Sequence, residues 1–171
     1  RVERPEDLPE AIQTALDNGH NGQFIIEDFL TFESYHSSTD PFTVDGQLKY
    51  ISFSDQLFDK DAANPYTPAF IIWPTTMKQE HQDYLTSEIQ RLMDLLHMKT
   101  GIYNIETVVG KGGIPYIMEV SPRGGGCKIA ELQEMSVGVN VIENEIRKAI
   151  DMPLLPIKEK GIKGYWCEMI I

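Results

Sequence analysis

Basic residues are scarce in this sequence: 15 Lys and Arg stand against 26 Asp and Glu in 171 residues, a formal net charge of −11. A surface this acidic repels phosphate backbones, so nucleic acid is not an expected partner. Nucleotides stay open, because a metal and a few local cations can handle their charge. Cysteine is nearly absent. Cys127 and Cys167 show no metal-ligand spacing and form no disulfide framework, which fits a reducing cytoplasm. Long apolar runs are missing too. Phe70-Ile71-Ile72-Trp73 is strand-sized, far below the ~18 residues of a membrane span. No apolar segment follows Arg1-Val2-Glu3-Arg4, so neither a secretory leader nor a membrane partner is expected. His20, His36, His81 and His97 have no metal-binding spacing, and no Ser-His-Asp or Cys-His arrangement offers a nucleophile.

What is present is 42% hydrophobic residues, enough for one compact domain with a core. Residues 5–18 read as a helix: Pro5 suits a first turn, Glu6 and Asp7 its N-terminus, and Gly19 its end. Leu8, Ile12, Ala15 and Leu16 give it an apolar stripe. Residues 23–28 read as a short strand with Phe24, Ile25 and Ile26 buried. Residues 32–44 and 48–57 form an expected hairpin around Asp45-Gly46. Residues 59–68 are a polar loop, and 69–73 another strand. The longest helix is expected over 77–98, with Leu85, Ile89, Leu92 and Leu96 inward. Strands at 101–109 and 114–120, helices at 127–135 and 139–150 parted by Gly138, a linker and a last strand over 164–171 complete an α+β chain of antiparallel hairpins. Trp73 and Trp166 are expected in strand cores, and Met93 and Met98 in the core. Lys49 and Lys60 are expected in solvent.

The chemistry concentrates in residues 104–126, NIETVVGKGGIPYIMEVSPRGGG. A two-residue Gly112-Gly113 turn sets Glu106 opposite Glu119 and Asn104 opposite Ser121, with Cβ atoms roughly 4.5–5.5 Å apart. Tyr103, Ile105, Val109, Tyr116, Met118 and Val120 would then line the other, apolar face. A four-residue loop keeps the two acids on one face as a diagonal pair, whereas a three-residue loop separates them. Facing carboxylates repel unless a cation lies between them, and magnesium favours carboxylate together with phosphate oxygens. Arg123 follows the strand, and Gly124-Gly125-Gly126 lead into a helix start where backbone N–H groups can meet an anion. Two glutamates alone read more readily as the polar outside of a hairpin; the Arg and the glycine run make a phosphate–metal site.

This N-I-E … Y-x-M-E-V-S-P-R-G-G-G pattern resembles the metal-binding core of the ATP-grasp superfamily, in the style of the carbamoyl-phosphate synthase large subunit. The resemblance implies an ATP-grasp-like antiparallel sheet with flanking helices, ATP with Mg2+ or Mn2+, and ligation of a small carboxylate to an amine or ammonia through an acyl phosphate. It implies that Glu106 and Glu119 hold metal, that Ser121, standing where the family usually has Asn, offers the metal one oxygen, and that Arg123 contacts phosphate or the acyl substrate. Upstream, FIIEDFLTFE is similar to the family's hinge: Glu27, Asp28, Phe29 and Leu30 would border adenine and Glu33 would hold ribose. By the same likeness residues 1–28 are a remnant of the lid and hinge, and 29–171 the metal- and phosphate-binding subdomain. The lid's lysine strand and Gly-rich loop are not seen, so the rest of a parent polypeptide is an expected partner, and this piece alone is expected to bind ATP weakly or not at all and to be inactive. Self-association is left open. Amino-acid ligases and biotin carboxylase-like enzymes stay open as relatives. So do a catalytically inactive ATP-grasp-like domain and a purely structural α+β domain.

Overall fold

Two units make up residues 2–170, the part described by this computed structural model: residues 2–31 and residues 32–170. The first holds a 3-10 turn (Pro5–Asp7) running into α1 (Leu8–Asn18). Pro5 opens it and Glu6 and Asp7 lie in its first turn, as expected, but α1 has no fully buried residue. The strand expected at 23–28 does not form. No strand pairs with this segment among the described residues, and Ile25 and Ile26 stand 81% and 66% exposed instead of buried.

The second unit begins with β1 (Ser37–Thr39), β2 (Phe42–Val44), β3 (Gln47–Tyr50), β4 (Asp55–Phe58) and β5 (Pro68–Trp73). α2 (Gln79–Leu95), β6 (Gly101–Ile102), β7 (Asn104–Gly110), β8 (Ile114–Ser121), α3 (Ile129–Val137), α4 (Val141–Ala149) and β9 (Trp166–Met169) follow. The strands form three antiparallel sheets in the orders β1-β7-β8, β3-β2-β6 and β4-β5-β9. Asp45 and Gly46 take positive φ (51° and 79°), as a two-residue hairpin turn requires, and join β2 to β3. The longer hairpin expected over 32–57 is divided. β1 and β4 leave it for two other sheets, and Pro41, with no N–H to donate, lies at the break.

α2 packs on the β7–β8 hairpin through Leu85, Ile89 and Met93, against Tyr103, Ile105 and Val109. Met93, not Leu92 or Leu96, continues the buried stripe, and Leu96 is 55% exposed just beyond the last turn. Phe42, Tyr50 and Ile102 meet α3 and α4 in a second cluster; Ile71 and the fully buried Trp73 meet Ile129 and Leu132 in a third. α4 is capped by Asn140, whose Oδ1 accepts from the Glu143 N–H at 2.7 Å. Trp166 and Met98 are partly buried, whereas Lys49 and Lys60 are exposed. Among the described residues no helix is long and apolar enough to cross a membrane.

Candidate functional site

Glu106 and Glu119 do stand opposite each other, as do Asn104 and Ser121, but the turn that joins their strands differs from the one expected. Gly110 pairs with Ile114, so Lys111, Gly112 and Gly113 form a three-residue loop, the length that should separate the acids. A β-bulge reverses the consequence. The register shifts between Glu106 and Thr107, whose partners are Glu119 and Ile117, and Met118 is left unpaired. One surplus residue in the loop and one in the strand cancel, and both carboxylates return to one face. The bulge also corrects the expected apolar face. Ile117 and Val120 pack on the α2 core, whereas Tyr116 and Met118 are exposed.

The face around the acids is wider than a hairpin. β1 pairs Ser38 with Glu106, and continuing that register sets Asp40 beside Asn104. Three strands therefore present two polar rows, Ser38–Glu106–Glu119 and Asp40–Asn104–Ser121. Glu106 is half-buried, and its carboxyl is held above its ordinary value, first by burial and then by the Glu119 charge. The Ser121 hydroxyl donates to Glu119 Oε1 at 2.8 Å. Among the described residues no Lys, Arg or His is ion-paired with either acid, and no three His, Cys, Asp or Glu side chains are placed to hold a metal ion together. Two carboxylates with a hydroxyl beside them suit a cation that takes its remaining ligands from water and substrate phosphate, which is how magnesium is usually held. Arg123 is exposed, its N–H donating to Ser121 O and its Nη1 to Gly124 O, both at 2.8 Å.

One network went unnoticed in the sequence. Asp40 is fully buried, and its carboxylate accepts from Gly125 N–H (3.1 and 2.9 Å) and from Asn104 Nδ2 (2.9 Å). Asn104 Nδ2 also donates to Ser38 Oγ at 3.1 Å. Gly125 therefore gives its amide to a carboxylate within the protein, not to an outside anion. Burial raises the Asp40 carboxyl, opposed by the bonds from Asn104 and Gly125 and by the Arg123 charge. An aspartate directly before proline, after Ser37-Ser38-Thr39, was the only local signal.

Glu27, Asp28 and Phe29 are exposed and Leu30 half-buried in the first unit, where none belongs to a helix or strand. Glu33 belongs to the second unit. Its N–H donates to Val109 O (2.9 Å) and its Oε1 accepts from Gly112 N–H (2.7 Å). It lines a cavity of about 550 Å³ with Phe32, Tyr35, Met77, Lys78 and His81. That position is at the loop end of the hairpin, three residues along β7 from Glu106, or about 10 Å at strand rise. The structure thus brings Glu106, Glu119 and Ser121 together, joins Arg123 to Ser121 through its backbone N–H while its guanidinium turns to Gly124 O, and places Glu33 apart from them.

No protein-family model matches the sequence, and no curated protein does. Solved structures share the fold. Biotin carboxylase of Campylobacter jejuni, in a complex named as beta-gamma-ATP, superposes with a TM-score of 0.77 at 17% identity, over 97% of this chain and 37% of that one. Phosphoribosylglycinamide synthetase of Anaerococcus prevotii gives 0.74 at 16%, over 96% and 41%. The L-amino acid ligase of Bacillus licheniformis gives 0.66 at 20%, over 88% and 36%. The chain spans about two fifths of the length of these proteins. At such identities the likeness carries the fold alone: an α+β, ATP-grasp-like arrangement of antiparallel sheets with flanking helices.

Proposed function

We propose that this chain is the ATP- and magnesium-binding core of a ligase that joins a carboxylate to an amine or ammonia through an acyl phosphate. The observation that supports it is the Glu106–Glu119 pair, kept on one face by a bulge that offsets the loop, with Ser121 and Arg123 directly after. In this reading Glu106 and Glu119 hold Mg2+ or Mn2+, and Ser121 offers its hydroxyl oxygen at a second position. Arg123 meets the transferred phosphate or the acyl substrate. Glu27, Asp28, Phe29 and Leu30 border adenine, and Glu33 exchanges its Gly112 contact for the ribose hydroxyls. Residues 1–28 are then the lid-and-hinge remnant and 29–171 the metal- and phosphate-binding part. The divalent ion, when bound, neutralises phosphate charge. The chain's own groups position substrates and meet developing charge, and no side-chain nucleophile is required. The motif in residues 104–126 resembles that of the carbamoyl-phosphate synthase large subunit, and that preference rests on those residues alone.

The test is ADP release by the full-length protein over a panel of carboxylates, with and without ammonia. Glu119→Gln is expected to cut the rate about 100-fold or more; a rate that survives it removes Glu119 as a required ligand. A second reading, a nucleotide-binding domain without catalysis, is favoured by one observation. Ser121 gives its hydrogen to Glu119 and is a shorter donor than the Asn usual there. No ADP release with any carboxylate, in a protein that still binds Mg-ATP, would select it.

A further inference from the structure

Asp40 is an anomaly on this face. It is a carboxylate with no exposed surface and, among the described residues, no cationic partner at ion-pair distance. Burying such a charge costs several kcal/mol unless hydrogen bonds offset it. Its hydrogen bonds go to two groups that flank the acidic pair. Gly125 N–H reaches both of its oxygens, and Asn104 Nδ2 reaches Oδ1. Gly125 is seated so closely that a Cβ there would lie 2.6 Å from Asn104 Nδ2 and 2.9 Å from Asp40 Oδ1.

The chemistry of this contact fixes an orientation. An ionised carboxylate only accepts, so Asn104 must turn its NH2 group towards Asp40 and its carbonyl oxygen away. Ser38 Oγ takes the second N–H of the same group. The Asn104 oxygen has no hydrogen-bond donor among the described residues. Asn104 is the cross-strand partner of Ser121 and lies two residues before Glu106 on the same face. The face thus presents an oriented amide oxygen opposite Ser121 and two residues from Glu106.

We propose that Asp40 is a positioning residue for the cation site. It locks the Asn104 amide with its NH2 group on Asp40 and its oxygen turned away, on the face that carries Glu106 and Glu119, and it ties Gly125, hence the segment carrying Arg123, to the same sheet. The proposal rests on the metal reading above and names how the site is held.

The experiment is titration of the full-length protein with Mn2+ alone, followed by electron paramagnetic resonance, well below each variant's melting temperature. Wild type and Glu119→Gln test the metal reading. Asp40→Ala, Asp40→Asn and Asn104→Leu test the positioning role. Asp40→Ala and Asn104→Leu are expected to weaken Mn2+ about 10-fold or more, the usual effect of removing an outer partner of a metal site. Asp40→Asn keeps an acceptor oxygen for Asn104 and Gly125, and is expected within about threefold of wild type, since the affinity loss follows the lost contact. A folded Asp40→Ala with a lowered melting temperature but unchanged Mn2+ affinity overturns the role and leaves Asp40 as packing. If Asp40→Ala does not fold, Asn104→Leu decides, and unchanged affinity there overturns the proposal equally. A wild type that binds no Mn2+ takes down the metal reading and the positioning role together. Wild-type binding that Glu119→Gln weakens, but neither Asp40→Ala nor Asn104→Leu affects, sinks the positioning role alone.

Discussion

The two faces of one three-stranded sheet, β1-β7-β8, contrast sharply. One face is dry: Ile105, Val109, Ile117 and Val120 pack on Leu85, Ile89 and Met93 of α2. The other carries three carboxylates, an amide and two hydroxyls in two rows, Ser38–Glu106–Glu119 and Asp40–Asn104–Ser121. The difference teaches where register comes from. A slip of one residue in β8 would drive Glu119 into the α2 core and Val120 out of it. Apolar burial on the first face therefore holds the second in an arrangement its own like charges resist. Ile89, with no exposed surface, is central to that hold. Ile89→Ala is expected to lower stability by about 2–5 kcal/mol in urea unfolding, as large-to-small core substitutions do. A loss under about 1 kcal/mol would mean that α2 does not clamp the hairpin, and the contrast between faces would dissolve.

The polar face has its own tight point. A methyl group at Gly125 would meet Asn104 Nδ2 at 2.6 Å, Asp40 Oδ1 at 2.9 Å and Ile129 Cδ1 at 3.0 Å. Gly125→Ala is expected to cost about 1–3 kcal/mol by overpacking, less than the core truncation. The measurement is again urea unfolding. An alanine accepted without loss would show that the loop is not seated on Asp40, and that the polar face is looser than its neighbour.

Sequence reading reaches this contrast unevenly. Asp45-Gly46 announces its turn because a two-residue hairpin loop needs two left-handed residues in a row, a purely local demand. The Glu106–Glu119 facing was foreseen, but through a turn that does not exist. The three-residue loop and the Met118 bulge cancel, and neither leaves a pattern in Ile114-Pro115-Tyr116-Ile117-Met118 that separates it from a regular strand. Asp40 was missed because its partners Asn104 and Gly125 are 64 and 85 residues away, brought to it by the β1–β7 pairing and by the loop after β8. Phe24, Ile25 and Ile26 look like a buried strand by composition, yet burial needs a partner surface that composition cannot supply. The α+β class itself was legible, since hairpin turns and helical stripes are repeated local signals.

The smallest effect tests the repulsion directly. Burial and the Glu119 charge both hold the Glu106 carboxyl above its ordinary value. For an acid raised in the folded state, the associated stability is present below the unfolded-state value and is lost as pH rises through the folded value. Without a divalent cation, the protein should therefore lose this contribution as the pH climbs out of the ordinary glutamate range towards neutrality. Glu106→Gln carries no charge to desolvate and none to repel Glu119. Measured by thermal unfolding in chelator, it is expected to gain about 0.2–1 kcal/mol at neutral pH, the size of a cross-strand charge pair. The gain should shrink as the pH is lowered and the wild-type carboxyl takes up its proton. Added Mn2+ should reverse the order, stabilising wild type in proportion to its binding and leaving Glu106→Gln behind. A variant less stable than wild type in chelator would show that Glu106 is held by favourable contacts, in which case the polar face needs no support from the apolar one.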